Sequence, residues 1–535
     1  MLSKRIFAST GAWLLLLAAS AFGQLPGYPA PRYPKIPDLT TVEQLLPYAR
    51  FVVAKQGDKA IVMRPGYNIQ GGERILIRTG VDTDPLVVEA FRRAFLEKNC
   101  TVDILLFPAT PRNFVPVDGA HELSFARWVA ADPEQDALMR AAAAADSRAL
   151  DEFIKARKYD LVVGATTSVG DGNDVLYERL HWFTREMLAS PATTFPEELL
   201  NLIDRKGWEI IRTAKSARLT DPEGTDIQWT WFQGYWEVAE GTHPEIKMMG
   251  GGPRSGQAGY IYGPGASEDP LIPGHLMGVP EGIVLPESDA EGVVVTTSNH
   301  AGPFPTMTMH IKNHEVTSIT GGGEYGRLLR QVLDKFKDIQ YPIFPRKGYG
   351  FLVEGAIGTN PKVIRPYNVM ETAEMRAPFQ SRLAITSGTQ AYFRPGPWVE
   401  ERRRSGIIHF GIGIISAEQE KWAIEHDAPT YHYHLHQYFA TYEATMPDGS
   451  KKLLLDKGRL TALDDPEVRR VAAKYGDPDE LLREDWIPAI PGINVPGDFE
   501  NDYGKDPYAW IVNEHRKAYP EAIERFRKRG NNVYQ

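Results

Sequence analysis

Two hydrophobic periodicities divide the chain. In the first two hundred residues, short apolar runs alternate with segments of helical spacing. "ERILIRTG" (73–80) and "TVDILLF" (101–107) read as buried strands. Between them, "DPLVVEAFRRAFLEKN" (84–99) reads as a helix with Asp84 at the N-cap and Pro85 at its first position. "ALDEFIKARKYDLVVGAT" (149–166) repeats the helix-then-strand order. Strands alternating with helices predict a parallel sheet with crossover helices. From about residue 215 the pattern becomes alternating and turn-punctuated. "SARLTDPEGTDIQWTW" (216–231), "EGVVVTTS" (291–298), "TMTMHIKNHEVTSITGGG" (306–323) and "SGIIHFGIGII" (405–415) predict antiparallel strands, interrupted by one clear helix, "EYGRLLRQVLDKF" (324–336). From about Asp464 the chain is helical and proline-punctuated again.

The fold expected is therefore an α/β N-terminal domain with a parallel sheet (24–214) and an α+β, mainly antiparallel domain (215–463). A helical C-terminal extension (464–535) follows. The α/β domain is preceded by an extended lead, "QLPGYPAPRYPKIPDL" (24–39), with five prolines. Residues 1–23 read as a secretory signal peptide: a basic start, an apolar run too short to span a bilayer, and small residues before Gln24. The expectation is an exported protein, periplasmic or secreted, with no integral membrane segment after signal cleavage.

Composition narrows the chemistry. Over 535 residues, 42% apolar and 24% charged is an ordinary globular balance. A net charge of −9 supplies no basic field for phosphate, so no nucleic-acid partner is expected. Cys100 is the single cysteine. That excludes an intrachain disulfide and thiolate metal clusters, and its place between a helix and a strand is structural.

The remaining chemistry lies in histidines and carboxylates. "TYHYHLHQYFATYEA" (430–444) carries His432, His434 and His436 at two-residue spacing. On a strand they share one face, with Tyr433, Leu435, Gln437 and Phe439 on the other. Two such imidazoles can meet at one metal ion; the competing reading is the polar face of an exposed edge strand. Two further polar residues interrupt apolar strands: Glu354 in "GFLVEGAIGTNPKV" (350–363) and His409 in "GIIHFGIGII" (406–415). A carboxylate in such a strand needs a metal or an ion pair to be buried.

"LTDPEGTDI", "VPEGIVLPESDAEGVVV", "HEVTSITGGGE", "EGAIGTNP" and "IHFGIGI" occur in the order found in the thermophilic aminopeptidase (aminopeptidase T) family. Over about residues 215–440 the chain resembles that superfamily, which also contains the Fe(II) ring-opening enzyme 2,5-dihydroxypyridine 5,6-dioxygenase. The resemblance implies that Glu354, His409, His434 and His436 stand at site positions. Two family carboxylates are replaced: Ile283 follows the glycine of "PEG", and His436 stands where the peptidases have aspartate. Ser416 replaces a tyrosine. A two-metal site needs several carboxylates, so a single divalent metal is expected. Its ligands would be Glu354, His434 and His436, a 2-His-1-carboxylate set that favours Fe(II).

His409 or His432 would then act as the acid–base partner. The insertion 376–404 reads as a lid or substrate wall, or else as a surface loop. Within it Tyr392 and Trp398 would stack on a substrate ring and Arg394 would meet a carboxylate. The leading expectation is a mononuclear dioxygenase acting on a small polar (hetero)aromatic molecule. A metallo-aminopeptidase or amide hydrolase with zinc or cobalt is the second reading, and a non-catalytic metal- or ligand-binding protein the third. The resemblance also implies a homodimer.

Overall fold

A computed structural model describes residues 24–56, 67–80, 84–107, 152–163, 176–177, 184–231, 234–239, 274–277, 286–299, 302–365, 396–414, 419, 422–423, 425–429 and 432–528. The expected signal peptide lies outside them. Among the described residues no helix is long and apolar enough to cross a membrane.

The N-terminal part is a parallel sheet, as its periodicity predicts. Strands β1 (Arg74–Gly80), β2 (Thr101–Phe107), β3 (Leu161–Val163) and β4 (Leu176–Tyr177) lie in the order β2-β1-β3-β4, every pair parallel. The helix Pro85–Leu96 begins where expected, the Asp84 carboxylate accepting from the Leu86 N–H at 3.0 Å. Asp84 also holds Arg185 in a buried two-point pair at 2.7 and 2.9 Å, and Arg185 in turn donates to the Leu39 carbonyl, pinning the lead segment to this sheet. Cys100 is buried in the turn into β2.

The rest is mainly antiparallel. An eight-stranded sheet contains β5 (Ser216–Thr220), β6 (Asp226–Thr230), β8 (Glu291–Asn299), β9 (Gly302–Lys312) and β10 (Glu315–Gly321). Strands β14 (Thr441–Thr445), β15 (Lys451–Asp456) and β16 (Arg459–Leu460) complete it. A four-stranded sheet runs β13-β12-β11-β7, from β7 (His275–Met277), β11 (Leu352–Gly358), β12 (Ile408–Gly413) and β13 (His432–Gln437). One continuous core joins both sheets to the helices Glu197–Thr213 and Gly323–Lys335. The first of these helices has acidic residues in its opening turn and Arg212 in its last, matching the helix dipole. The C-terminal segment packs Trp486, Ile487, Ile490 and Tyr503 against Tyr438 and Phe439, just beyond β13.

Among the described residues, burial dominates the environment of several carboxylates. Burial pushes Asp204 up to about 7, partly offset by the Thr359 hydroxyl. Burial also raises Asp221 to about 6 and lifts Glu223 well above the carboxylate range, the Asp221 charge adding to the latter. Such groups ionise near pH 4 once unfolded, so between about pH 4 and 7 the folded chain holds more protons. Their contribution to stability is therefore greatest at acid pH and falls as pH rises through that window. Asp204→Asn should raise the urea midpoint at pH 8 and leave it nearly unchanged at pH 4.5. An equal change at both pH values would show that Asp204 is not the titrating group.

Candidate metal centre

The register of the four-stranded sheet assembles the site. In β12, alternation puts Ile408, Phe410 and Ile412 into the core, leaving His409, Gly411 and Gly413 on the opposite face. Residues directly opposed in antiparallel strands share a face. One cross-strand row is Glu354, Gly411 and His434; the next is Ala356, His409 and His436. Glu354 reaches this face through a bulge. Leu352 opposes Ile412 and Glu354 opposes Gly411, so Val353 is an extra residue that re-aims the glutamate away from the core face. His432 opens β13 opposite Gly413.

Among the described residues no strand pairs with the outer side of β13, yet it is not exposed. Tyr433 and Leu435 enter the core, while His434 and His436 are 2% and 0% exposed, which excludes a solvated polar face. Strand β8 covers that edge with side chains: Thr296 donates to the His436 carbonyl at 2.8 Å, and Gln437 donates back to the Val295 carbonyl at 3.3 Å.

Across the empty position of Gly411, one carboxylate meets two imidazoles. His409 Nε2 lies 3.0 Å from Glu354 Oε1, and His434 Nε2 lies 3.2 Å from Glu354 Oε2. Ligand atoms of all three buried residues fall within 4.8 Å of one another. Atoms bound at ~2.1 Å and at right angles around one ion stand ~3 Å apart, so these spacings fit a single metal. The donor set, two imidazoles and one carboxylate, fits a divalent transition metal. Burial lowers His409 to about 4 against the opposing pull of Glu354, with Arg402 and His436 adding to the lowering. The imidazole is therefore neutral at physiological pH, the form that binds metal.

No family model matches the chain, and no curated protein does. Among solved structures it is similar to 2,5-dihydroxypyridine dioxygenase from Pseudomonas putida KT2440, with 15% identity and a TM-score of 0.36, covering 79% of this chain and 98% of that one. This is a loose structural likeness.

Relative to the sequence expectation, the histidine that joins Glu354 and His434 in this cluster is His409, expected as the acid–base partner. His436, expected as a ligand, has its Nδ1 2.9 Å from Glu401 Oε1. Of the insertion, Tyr392 and Arg394 lie outside the described residues, and Trp398 falls in the 3-10 helix Gly396–Arg403. The end of that insertion is no surface loop. Glu400, Glu401, Arg402, Arg403 and Arg404 are all at most 3% exposed.

Both buried glutamates have a matching cation. Arg403 pairs with Glu400, and Arg365 donates to Glu401 Oε2 at 2.7 Å. The Tyr438 hydroxyl donates to Glu401 Oε1 at 2.5 Å and accepts from Arg365 at 2.9 Å. Burial alone would raise Glu401, but Arg365 and His436 together hold it at about 2. The mixed-sign run "EERRR" was the available signal for this layer. Such runs usually face water, and this one does not.

Gly411 is a direct test of the geometry. Its backbone has no positive φ, so a residue with a Cβ is not strained there, and valine suits strands. A Cβ on this face would stand between Glu354 and His434. Gly411→Val should strongly reduce metal retained after dialysis, and because the row is buried it should also lower stability by ~1–3 kcal/mol in urea unfolding without preventing folding. Undiminished metal would mean that the two side chains do not meet across this position.

Proposed function

We propose that this protein is a mononuclear metal-dependent enzyme, an Fe(II) dioxygenase that opens the ring of a small polar (hetero)aromatic compound. The convergence of Glu354, His409 and His434 carries the reading. A 2-His-1-carboxylate set is the ligand composition of non-haem Fe(II) oxygenases, where it leaves coordination positions open. The ferrous ion would supply Lewis acidity and redox capacity at those positions. The chain's part is to hold neutral imidazoles and one anionic oxygen in fixed directions and to keep bulk water out: all three ligands are buried. The substrate class rests on the motif resemblance to the superfamily that contains the ring-opening dioxygenase. A hydrolase is less well supported, because the carboxylate expected to activate its metal-bound water is Glu354. Glu354 lies against both imidazoles and is accounted for as a ligand. We further place the mature chain outside the cytoplasm, from the basic-then-apolar character of residues 1–23.

Anaerobic reconstitution followed by elemental analysis should give about one iron per chain. Oxygen uptake should then follow addition of a hydroxylated pyridine or benzene from a small panel. Absence of any retained metal overturns the whole reading. Retained zinc or cobalt with no oxygen uptake across the panel overturns the oxygenase and leaves the metal centre.

A further inference from the structure

The row of the sheet that carries His409 continues to His436, whose ring centroid lies 6.3 Å from that of His409 on the same face. His436 is fully buried, and the carboxylate beside it belongs to neither strand. It is Glu401, delivered by the 3-10 helix Gly396–Arg403, a segment that follows no motif of the resemblance. We propose that Glu401 is a positioning residue that holds His436 in one rotamer and one tautomer, with the proton on Nδ1 and the lone pair on Nε2. This rests on the metal-centre reading only for its purpose, an imidazole of fixed orientation beside that centre. The tautomer itself is a property of the metal-free chain.

The proton count around Glu401 carries the argument. Its Oε2 accepts from Arg365 Nε at 2.7 Å. Its Oε1 faces two groups, the Tyr438 hydroxyl at 2.5 Å and His436 Nδ1 at 2.9 Å. Tyr438 already accepts from Arg365 Nη2 at 2.9 Å, so its own proton is free to go to Glu401. An arginine N–H can only donate, and a carboxylate next to it is ionised and can only accept. Every contact made by Glu401 therefore needs a donor opposite, and His436 meets that need only with hydrogen on Nδ1. In a neutral imidazole the other nitrogen is then an acceptor. A carboxylate fixing the tautomer and direction of a histidine is a recurrent support around metal and catalytic centres. Here the support is itself locked: Arg365 stacks 4.4 Å from the Trp486 ring centroid, and Ser298 lies 2.8 Å from the Tyr438 hydroxyl.

The test uses full-length metal-free protein labelled with 15N-histidine, with the His436 signals assigned by their loss in His436→Gln. Wild-type protein should show His436 as the Nδ1–H tautomer. Glu401→Gln, whose amide can donate as well as accept, should convert it to a mixture or to Nε2–H. Glu400→Gln, which breaks the neighbouring buried pair with Arg403, should leave the His436 signals in place, separating positioning from general loosening of the helix. Nε2–H in wild type, or an unchanged tautomer in Glu401→Gln, overturns the proposal. Because the reading is made without metal, its outcome is independent of whether the three-residue centre binds iron.

Discussion

Glu354→Gln should yield a folded protein that no longer retains its metal. The substitution keeps side-chain length and shape but removes the only anion among the three converging ligands. Changes to groups merely supporting a metal ligand cost ~10–100-fold in affinity, so loss of the charged ligand itself should cost at least ~100-fold. The fold should survive, since glutamine still accepts from one imidazole N–H across the same short distance. Elemental analysis after dialysis, together with the urea midpoint, separates the two effects. The histidines should sort in the same assay: His409→Gln and His434→Gln lose the metal, whereas His436→Gln keeps it. The reverse order for His409 and His436 would make His436 the ligand and His409 its neighbour. Metal undiminished in Glu354→Gln would remove the carboxylate from the centre altogether.

The parts of this arrangement differ in how plainly they were written in the chain. Strands and helices with undiluted periodicity were legible, and Asp84–Pro85 marked a helix start to the residue. Glu354 and His409 were visible as polar interruptions of apolar strands, since a buried polar group demands a partner. What alternation could not show was the bulge at Val353. Counted by twos, Glu354 should share a face with Leu352; only the pairing with β12 shows that it turns to the other side. Nor could spacing decide between His409 and His436, because both belong to one cross-strand row, and only the strand order, with β12 next to β11, puts His409 rather than His436 beside Glu354. The buried layer behind His436 was illegible for a different reason. Glu401 finds Arg365 36 residues earlier in the chain, and no local pattern links the two positions.

That distant pair leads to the largest stability effect we expect. Arg365→Met should destabilise the protein by about 3–5 kcal/mol, the usual consequence of leaving one member of a buried pair uncompensated. Arg365 is 2% exposed, donates to both Glu401 and Tyr438, and lies against Trp486, so it joins the insertion, the residues just beyond β13 and the C-terminal segment. Its removal leaves Glu401 buried with only His436 and Tyr438 as donors. The pH dependence should identify the cause. In wild type Glu401 sits near 2, below its unfolded value, so its favourable contribution is complete above about pH 5 and is lost only in strong acid. Without Arg365 the raising effect of burial is opposed chiefly by His436, so the folded pKa of Glu401 should rise and the variant should lose stability as pH rises. The gap between wild type and Arg365→Met should therefore widen from pH 5 to pH 8 in urea unfolding. The double variant Arg365→Met with Glu401→Gln, which buries no charge at either position, should recover part of the loss at pH 8 and flatten its pH dependence. If the double variant is instead less stable than Arg365→Met alone by the full cost of Glu401→Gln, the two residues act independently, and the arginine stabilises the fold through Trp486 and Tyr438 rather than through the carboxylate.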